Sequence, residues 1–230
     1  MEFNIDDMQS LAKSHIYCSE KEKPEFIEKI DRITLLCKEA VTKEEFFELV
    51  DIYSELFKAY IMSIKTIYNT LIGWALPSKL VCETVYSTYL NHIKTYPDAK
   101  IIDLGAGSGI FSYMFHQMGI PNDRIIAVDL EKPTHSNPEQ RKFWNITKNS
   151  NFEFDPIDIL FVAWGSGIYG NVDKYCDNGG TCVIILGETC DGCTFPSDYL
   201  SENEQWTVES YHVPGPASAY SEYLTVNIKK

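Results

Sequence analysis

A glycine-rich turn between an apolar segment and a helical segment is the feature that most constrains this 230-residue chain. The apolar segment, residues 101–104, has the pattern of a buried strand, and the helical pattern runs over residues 110–118. Between them, Gly105, Gly107 and Gly109 stand at alternate positions, so the backbone can turn tightly and leave main-chain atoms open to a ligand. A helix N-terminus follows and adds a partial positive charge. The sequence therefore predicts a ligand site at a strand-to-helix turn.

The elements on either side of this turn predict an α/β fold with an N-terminal helical cap. Apolar residues recur at helical spacing through the first ninety-odd residues, where Thr42 begins a capping box and Ser78 is a further N-cap. From residue 100, strand patterns alternate with helices or long loops, which indicates parallel pairing, and the last two are close enough for an antiparallel pair: 101–104, 124–130, 158–164, 181–186, 206–213 and 222–228. We predict a helical region over 1–77 and a core over 78–230.

The residues around the glycines distinguish two kinds of ligand. A dinucleotide fingerprint has the spacing G-x-G-x-x-G, whereas here the third glycine comes one residue early and Ile110 follows it. Asp103 would repel a pyrophosphate and suits a cationic ligand. Asp129, which ends the next strand pattern, can accept hydrogen bonds from ribose hydroxyls. Together these residues predict an adenosyl ligand with a positively charged tail, which S-adenosylmethionine fits.

This order of motifs resembles the class I S-adenosylmethionine-dependent methyltransferases, in which an acidic residue precedes G-x-G-x-G. The resemblance covers roughly residue 78 to the C-terminus. It implies a doubly wound, mostly parallel seven-stranded sheet whose last strand is inserted antiparallel. It also supports a cofactor-binding set made of the two acidic residues, the glycine turn and residues at the neighbouring strand ends: Asp103, Gly105, Ala106, Gly107, Ser108, Gly109, Asp129, Leu130 and Trp164.

A narrower resemblance is to a little-characterised group of methyltransferase-like proteins with the segments G-W-A-[IL]-P, W-P-P and G-E-x-x-G-G-C-T. Residues 73–77 read Gly-Trp-Ala-Leu-Pro and match the first segment. The second keeps Trp164 without its prolines, and the third, over 187–194, has Asp191 in place of a glycine. The group supplies no acceptor for this chain, and the departures from its motifs leave a shared acceptor open.

Two residues past strand ends are further candidates for the site, one toward the cofactor and one toward the acceptor. Trp164 either covers the adenine or the sulfonium, or caps the core. Glu188 is the candidate catalytic residue, because a carboxylate there could orient an acceptor or act as a general base. A base is optional, since methyl transfer depends mainly on alignment of the nucleophile. We expect the acceptor to enter over Trp74 and Glu188.

Charge and cysteine usage narrow the partners. The formal net charge of −13 disfavours a nucleic-acid backbone or an anionic membrane as a partner, because both require a clustered basic surface. The chain has seven cysteines and begins with an acidic segment, which favours a reduced, cytoplasmic location. Cys190 and Cys193 form a single C-x-x-C without a second pair, so no metal site is predicted. Residues 131–151 show no clear strand or helix pattern.

The function that these patterns favour is methyl transfer from S-adenosylmethionine to an unidentified small-molecule or protein acceptor. A catalytically silent adenosyl-ligand-binding or partner protein remains open, because it would share the glycine turn. An NAD-dependent oxidoreductase is disfavoured by Ile110 and Asp103. The sequence does not indicate an oligomeric state.

Overall fold

The computed structural model describes residues 4–16, 18–59, 61–129, 140–165, 167–188, 195–213 and 222–230. The helices are α1 Ile5–Ser14, α2 Lys23–Glu39, α3 Lys43–Lys58, α4 Ser63–Leu71, α5 Lys79–His92, α6 Ile110–Met118 and α7 Tyr169–Asp177. The strands are β1 Ile101–Leu104, β2 Ile125–Asp129, β3 Ile146–Lys148, β4 Ile159–Ala163, β5 Cys182–Glu188, β6 Trp206–Val213 and β7 Glu222–Lys229. A short 3-10 helix, Asn122–Arg124, precedes β2.

The N-terminal helices begin where the capping residues are. The Thr42 hydroxyl oxygen accepts a hydrogen bond from the backbone N–H of Glu45, and the Glu45 carboxylate accepts one from the backbone N–H of Thr42. The predicted capping box therefore forms at the start of α3. Ser78 accepts from the backbone N–H of Val81 and begins α5 in the same way. Both predicted helix starts are confirmed.

The strands form one sheet in the order β3-β2-β1-β4-β5-β7-β6. The first five in this order are parallel to one another, and β7 is inserted antiparallel between β5 and β6. The predicted fold class is thereby confirmed, including the antiparallel insertion of the last strand. The strand order reverses between β1 and β4, and open α/β sheets bind ligands beyond the carboxyl ends of their strands at such a switch point.

The segment 131–151 is a correction to the sequence analysis, because it contains β3. This strand has three residues, lies at the edge of the sheet and is mostly exposed. A short edge strand with one apolar residue has no period-2 pattern, which explains why it was missed. Its pairing sets Lys148 beside Asp129 in the parallel register.

The two faces of the sheet are buried in two separate hydrophobic clusters, because successive strand residues point to opposite faces. Ile159 and Phe161 belong to the cluster that also contains the buried residues of α1 to α6. Leu160 and Val162 belong to the cluster that contains Val172 of α7. The N-terminal helices therefore share a core with one face of the sheet, and the boundary at residue 77 stays a prediction. Within the described ranges, every helix is too short or too polar to span a membrane.

Candidate functional site

The glycine turn lies at the switch point and has the conformation that only glycine adopts readily. Gly105, Gly107 and Gly109 have φ values of 78°, 56° and 77°, in the left-handed region. A Cβ on Gly105 would come no closer than 4.0 Å to the Cα of Gly165, and one on Gly107 no closer than 3.9 Å to a backbone oxygen. Side chains at these two positions would therefore fill free space beside the turn, where a ligand could contact the backbone.

Gly109 has a different reason to be glycine. A Cβ there would lie 2.6 Å from the Cβ of Trp144, so a larger residue cannot fit without displacing that segment. The neighbouring Phe143 donates its backbone N–H to the carbonyl of Ser108 at 2.9 Å. Residues 140–144 thus pack directly on the end of the turn, a contact that the sequence analysis did not foresee. Ser108 and Ala106 are themselves buried.

The same segment ties the turn to the N-terminal helices. Arg141 donates its guanidinium N–H groups to the backbone carbonyls of Cys37 and Ala40, at 3.0 and 2.6 Å, and so satisfies the C-terminal end of α2. Its own backbone N–H donates to the carbonyl of Leu71 at the end of α4. These contacts join the segment that packs on the glycine turn to the C-terminal ends of α2 and α4.

Asp103 points from β1 into the protein, where its carboxylate is held by α6. Ser112 donates both its backbone N–H, at 3.2 Å, and its hydroxyl, at 2.7 Å, to Oδ2. Burial raises the pKa of Asp103 to about 6, and the two hydrogen bonds from Ser112 act in the opposite direction. The carboxylate therefore positions the start of α6 against the glycine turn, and its contact with a cofactor stays a prediction.

Asp129 ends β2 beside the glycine turn, as the sequence predicted. Oδ2 of Asp129 accepts a hydrogen bond from Nζ of Lys148 on β3 at 2.8 Å. The carboxylate is mostly buried whereas the lysine side chain is 42% exposed, so the lysine can move aside without unfolding anything. A ribose bound here would share or displace this ion pair. Leu130, the next predicted contact, lies outside the described residues.

The second half of the carboxyl edge is formed by the ends of β4, β5 and β7. Trp164 follows β4 with a φ of 51°, which is the left-handed conformation and costs a non-glycine residue about 1–3 kcal/mol. Glu188 ends β5 and is 2% exposed, and its partner in the antiparallel register is Glu222, which begins β7 and is 1% exposed. Glu222 was not a sequence prediction, because nothing near it in the chain marks it as different from a surface glutamate.

Helices α3 and α4 cover this half of the edge. The rings of Tyr53 and Tyr68 pack edge to face at 5.2 Å, and the Tyr68 hydroxyl donates to the carbonyl of Ala75. That contact joins the segment 73–77 to α4. A Cβ on Gly73 would lie 3.8 Å from the Ser108 hydroxyl, so this segment also reaches the glycine turn. Trp74, the predicted entry residue, is 46% exposed between these two contacts.

The C-x-x-C pair of the sequence analysis cannot be placed. Cys190 and Cys193 lie outside the described residues. Within the described part of the chain, no group of three or more His, Cys, Asp or Glu side chains is arranged to hold a metal ion.

Comparisons with known sequences include a distant relative. No protein-family model matches the chain. Actin-related protein 5 of Dictyostelium discoideum is 23% identical over 163 residues, which are 69% of this chain and 20% of that protein. The chain thus spans about a fifth of the length of this relative.

Solved structures with a similar fold include several methyltransferases. The O-methyltransferase from Bacillus cereus in complex with SAH matches 84% of this chain and 95% of its own, with 11% identity and a TM-score of 0.45. The methyltransferase domain of bacterial CtHen1 matches 63% and 97%, with 14% identity and a TM-score of 0.37. A SAM-dependent methyltransferase from Aquifex aeolicus matches 57% and 82%, with 11% identity and a TM-score of 0.33. All three TM-scores are below 0.5, so the fold is assigned from the strand order and register of this chain.

Proposed function

We propose that the chain binds S-adenosylmethionine and transfers its methyl group to an acceptor. One observation carries this proposal. At the switch point of the sheet, a turn of left-handed glycines leaves free space over Gly105 and Gly107, and a carboxylate, Asp129, ends the adjacent strand. A cradle without side chains suits close approach of a ligand to the backbone, and the carboxylate suits ribose hydroxyls.

Each residue of this half of the edge would contribute a separate part of cofactor binding. Gly105 and Gly107 would take the methionine portion, and Asp129 would accept hydrogen bonds from the ribose. Asp103 would act through Ser112 by holding α6 in position against the turn. Trp164 would cover the adenine or the sulfonium from the end of β4. When bound, the cofactor supplies a methyl group already activated by its sulfonium, so the chain would exclude water and align the acceptor.

The acceptor side would be the region between Trp74 and Glu188, roofed by α3 and α4. The net charge of −13 favours a small-molecule or protein acceptor over a nucleic acid. Methyl transfer to an acceptor needs no metal in this scheme, since the leaving group is neutral once the methyl has moved.

Calorimetric titration with S-adenosylmethionine, S-adenosylhomocysteine and NAD tests the proposal. We expect the two adenosyl ligands to bind and Asp129→Ala to weaken them at least about tenfold, because the ribose loses a charged acceptor. Asp177→Ala is the matched control, since Asp177 is an exposed aspartate at the end of α7. Binding of NAD alone, or equal binding by both variants, would refute the proposal. Binding without transfer of a labelled methyl group to any component of a cell extract would indicate a silent adenosyl-binding protein.

A further inference from the structure

The register between β5 and β7 creates an unusual pair of acids at the acceptor side of the edge. It sets Glu188 directly opposite Glu222, and both side chains are almost completely buried. Like charges directly opposite each other on an antiparallel pair are destabilising, and burial adds to the cost. Such a pair needs either a shared proton or a cation.

Glu222 also lacks hydrogen-bond donors. Among the described residues, no donor reaches either of its carboxylate oxygens with standard hydrogen-bond geometry, and both oxygens are buried. The indole N–H of Trp164 is close enough to lower the pKa of Glu222, but it too is buried without a partner of standard geometry. Buried polar groups in folded proteins are nearly always paired, so these three atoms point to a missing ligand.

The surroundings of Glu222 favour a cation. Burial, with a contribution from the neighbouring charge of Glu188, raises the pKa of Glu222 to about 8, while Trp164 and Lys65 of α4 act in the opposite direction. Lys65 does not hydrogen-bond to either carboxylate oxygen of Glu222 within the described residues, so the carboxyl remains available. Burial, with a smaller contribution from Glu222, also raises the pKa values of Tyr53 and Tyr68, which indicates that the acid lies near both side chains.

We infer that Glu222, Glu188 and Trp164 form the acceptor pocket, and that it takes a protonated alkyl amine as the methyl acceptor. This inference rests on the proposed function and names its substrate class. An ammonium group has three N–H donors, enough to reach both carboxylates. The indole of Trp164 adds an aromatic ring that attracts a cation. A carboxylate or phosphate acceptor would face two acids, and a neutral alcohol would bring no charge to offset that of Glu222.

The transfer step balances with Glu222 as the proton acceptor. The ammonium group replaces the proton that Glu222 holds in the free protein, so the carboxylate is ionised in the complex. One N–H proton then passes to Glu222 and frees the lone pair of the nitrogen. That lone pair forms the new N–C bond to the methyl group of S-adenosylmethionine, and the C–S bond breaks with its electrons going to sulfur. The products are a protonated methylamine derivative, neutral S-adenosylhomocysteine and protonated Glu222.

Titration of the purified chain with n-butylammonium tests this pocket, with and without saturating S-adenosylhomocysteine. We expect butylammonium to bind, and 1-butanol and butyrate to give no heat. Glu222→Gln should weaken butylammonium at least about tenfold, because a charged partner of a buried cation is removed. Glu209→Gln is the matched control, since Glu209 is exposed on the adjacent strand β6. Its affinity should equal that of the unchanged chain.

Proton release gives a readout that a purely structural role would not move. Repeating the titration at pH 7 in buffers of different ionisation enthalpy should show release of about one proton per butylammonium bound, and none from Glu222→Gln. Equal affinity of the unchanged chain and Glu222→Gln, or no binding of butylammonium, would overturn the inference. Binding of S-adenosylhomocysteine without butylammonium would leave the proposed function standing. If butylammonium binds but S-adenosylhomocysteine does not bind at all, the proposed function and the transfer step are refuted.

Discussion

Two buried carboxylates at the carboxyl edge of the sheet, Asp103 and Glu222, differ in what surrounds them. Asp103 receives two hydrogen bonds from Ser112 of α6, and burial raises its pKa to about 6. Glu222 faces a second acid and has no donor of standard geometry among the described residues, and its pKa is raised to about 8. One half of the edge is thus internally satisfied, and the other is not.

This difference separates framework from ligand site. On the cofactor half, Ser112 pairs Asp103 and Lys148 pairs Asp129, so that half can fold stably without a ligand. On the acceptor half, the sheet register sets Glu188 opposite Glu222, and the buried carboxylate oxygens of Glu222 have no hydrogen-bond partner among the described residues. An unfavourable burial energy that the fold does not offset is expected where a bound ligand supplies the missing contacts.

The largest effect is expected when the packing of the satisfied half is disturbed. Gly109→Ala would set a Cβ 2.6 Å from that of Trp144, at a φ of 77°. We expect a loss of about 2–4 kcal/mol in the free energy of unfolding, measured by urea denaturation. Gly170→Ala in α7, where no atom lies within 4 Å of the new Cβ, should change stability little or raise it slightly. If both variants behave alike, Trp144 does not pack on the turn as described.

Glu222→Gln should remove a pH dependence of stability. The folded pKa of Glu222, about 8, is above its ordinary value of 4.5, so the folded state holds the proton more tightly. Its contribution to stability is therefore complete below about pH 4.5 and is lost as the pH rises through 8. Between pH 6 and 9 the unchanged chain should lose about 2–3 kcal/mol relative to Glu222→Gln. If urea denaturation shows the same change in the free energy of unfolding between pH 6 and pH 9 for both proteins, this prediction is contradicted.

Ser112→Ala tests the satisfied acid in the same way. The variant removes the hydroxyl that donates to Asp103 at 2.7 Å and keeps the backbone donor. The pKa of Asp103 should rise further in the variant. In the unchanged chain, stability falls as the pH rises from about 4 to about 6, and in the variant this fall should continue to higher pH. At pH 8 we expect a loss of about 1–2 kcal/mol. Ser87→Ala, at an exposed serine of α5, should leave the urea midpoint unchanged.

The smallest effect on stability is expected from Lys148→Met. The ion pair with Asp129 lies at an edge strand with the lysine side chain 42% exposed, so its loss should cost less than about 1 kcal/mol. Affinity for S-adenosylhomocysteine should rise severalfold, because the ribose no longer competes with an ammonium for Oδ2. Lys174→Met in α7 controls for the loss of a surface charge. A weaker affinity in Lys148→Met would mean that the lysine itself contacts the ligand.

The parts of the fold that the sequence predicted are those with a local pattern. The capping box at Thr42, the cap at Ser78 and the strand, turn and helix around the glycines all depend on residues close together in the chain. Strand β3 was missed because a three-residue exposed edge strand has no such pattern. The ion pair between Asp129 and Lys148 was missed with it, since only the register of β3 brings the two together.

The amino-acid sequence by itself determined the α/β class, the strand, turn and helix around the glycines and the need for glycines at the turn, because periodicity and φ preferences act over a few residues. Only the tertiary structure decided that Trp144 packs on Gly109, and that Glu188 faces Glu222 beneath Tyr53. These contacts depend on strand register and on where the N-terminal helices pack against the sheet. Strand register and helix placement are set by packing over the whole core, so no single position in the chain predicts them.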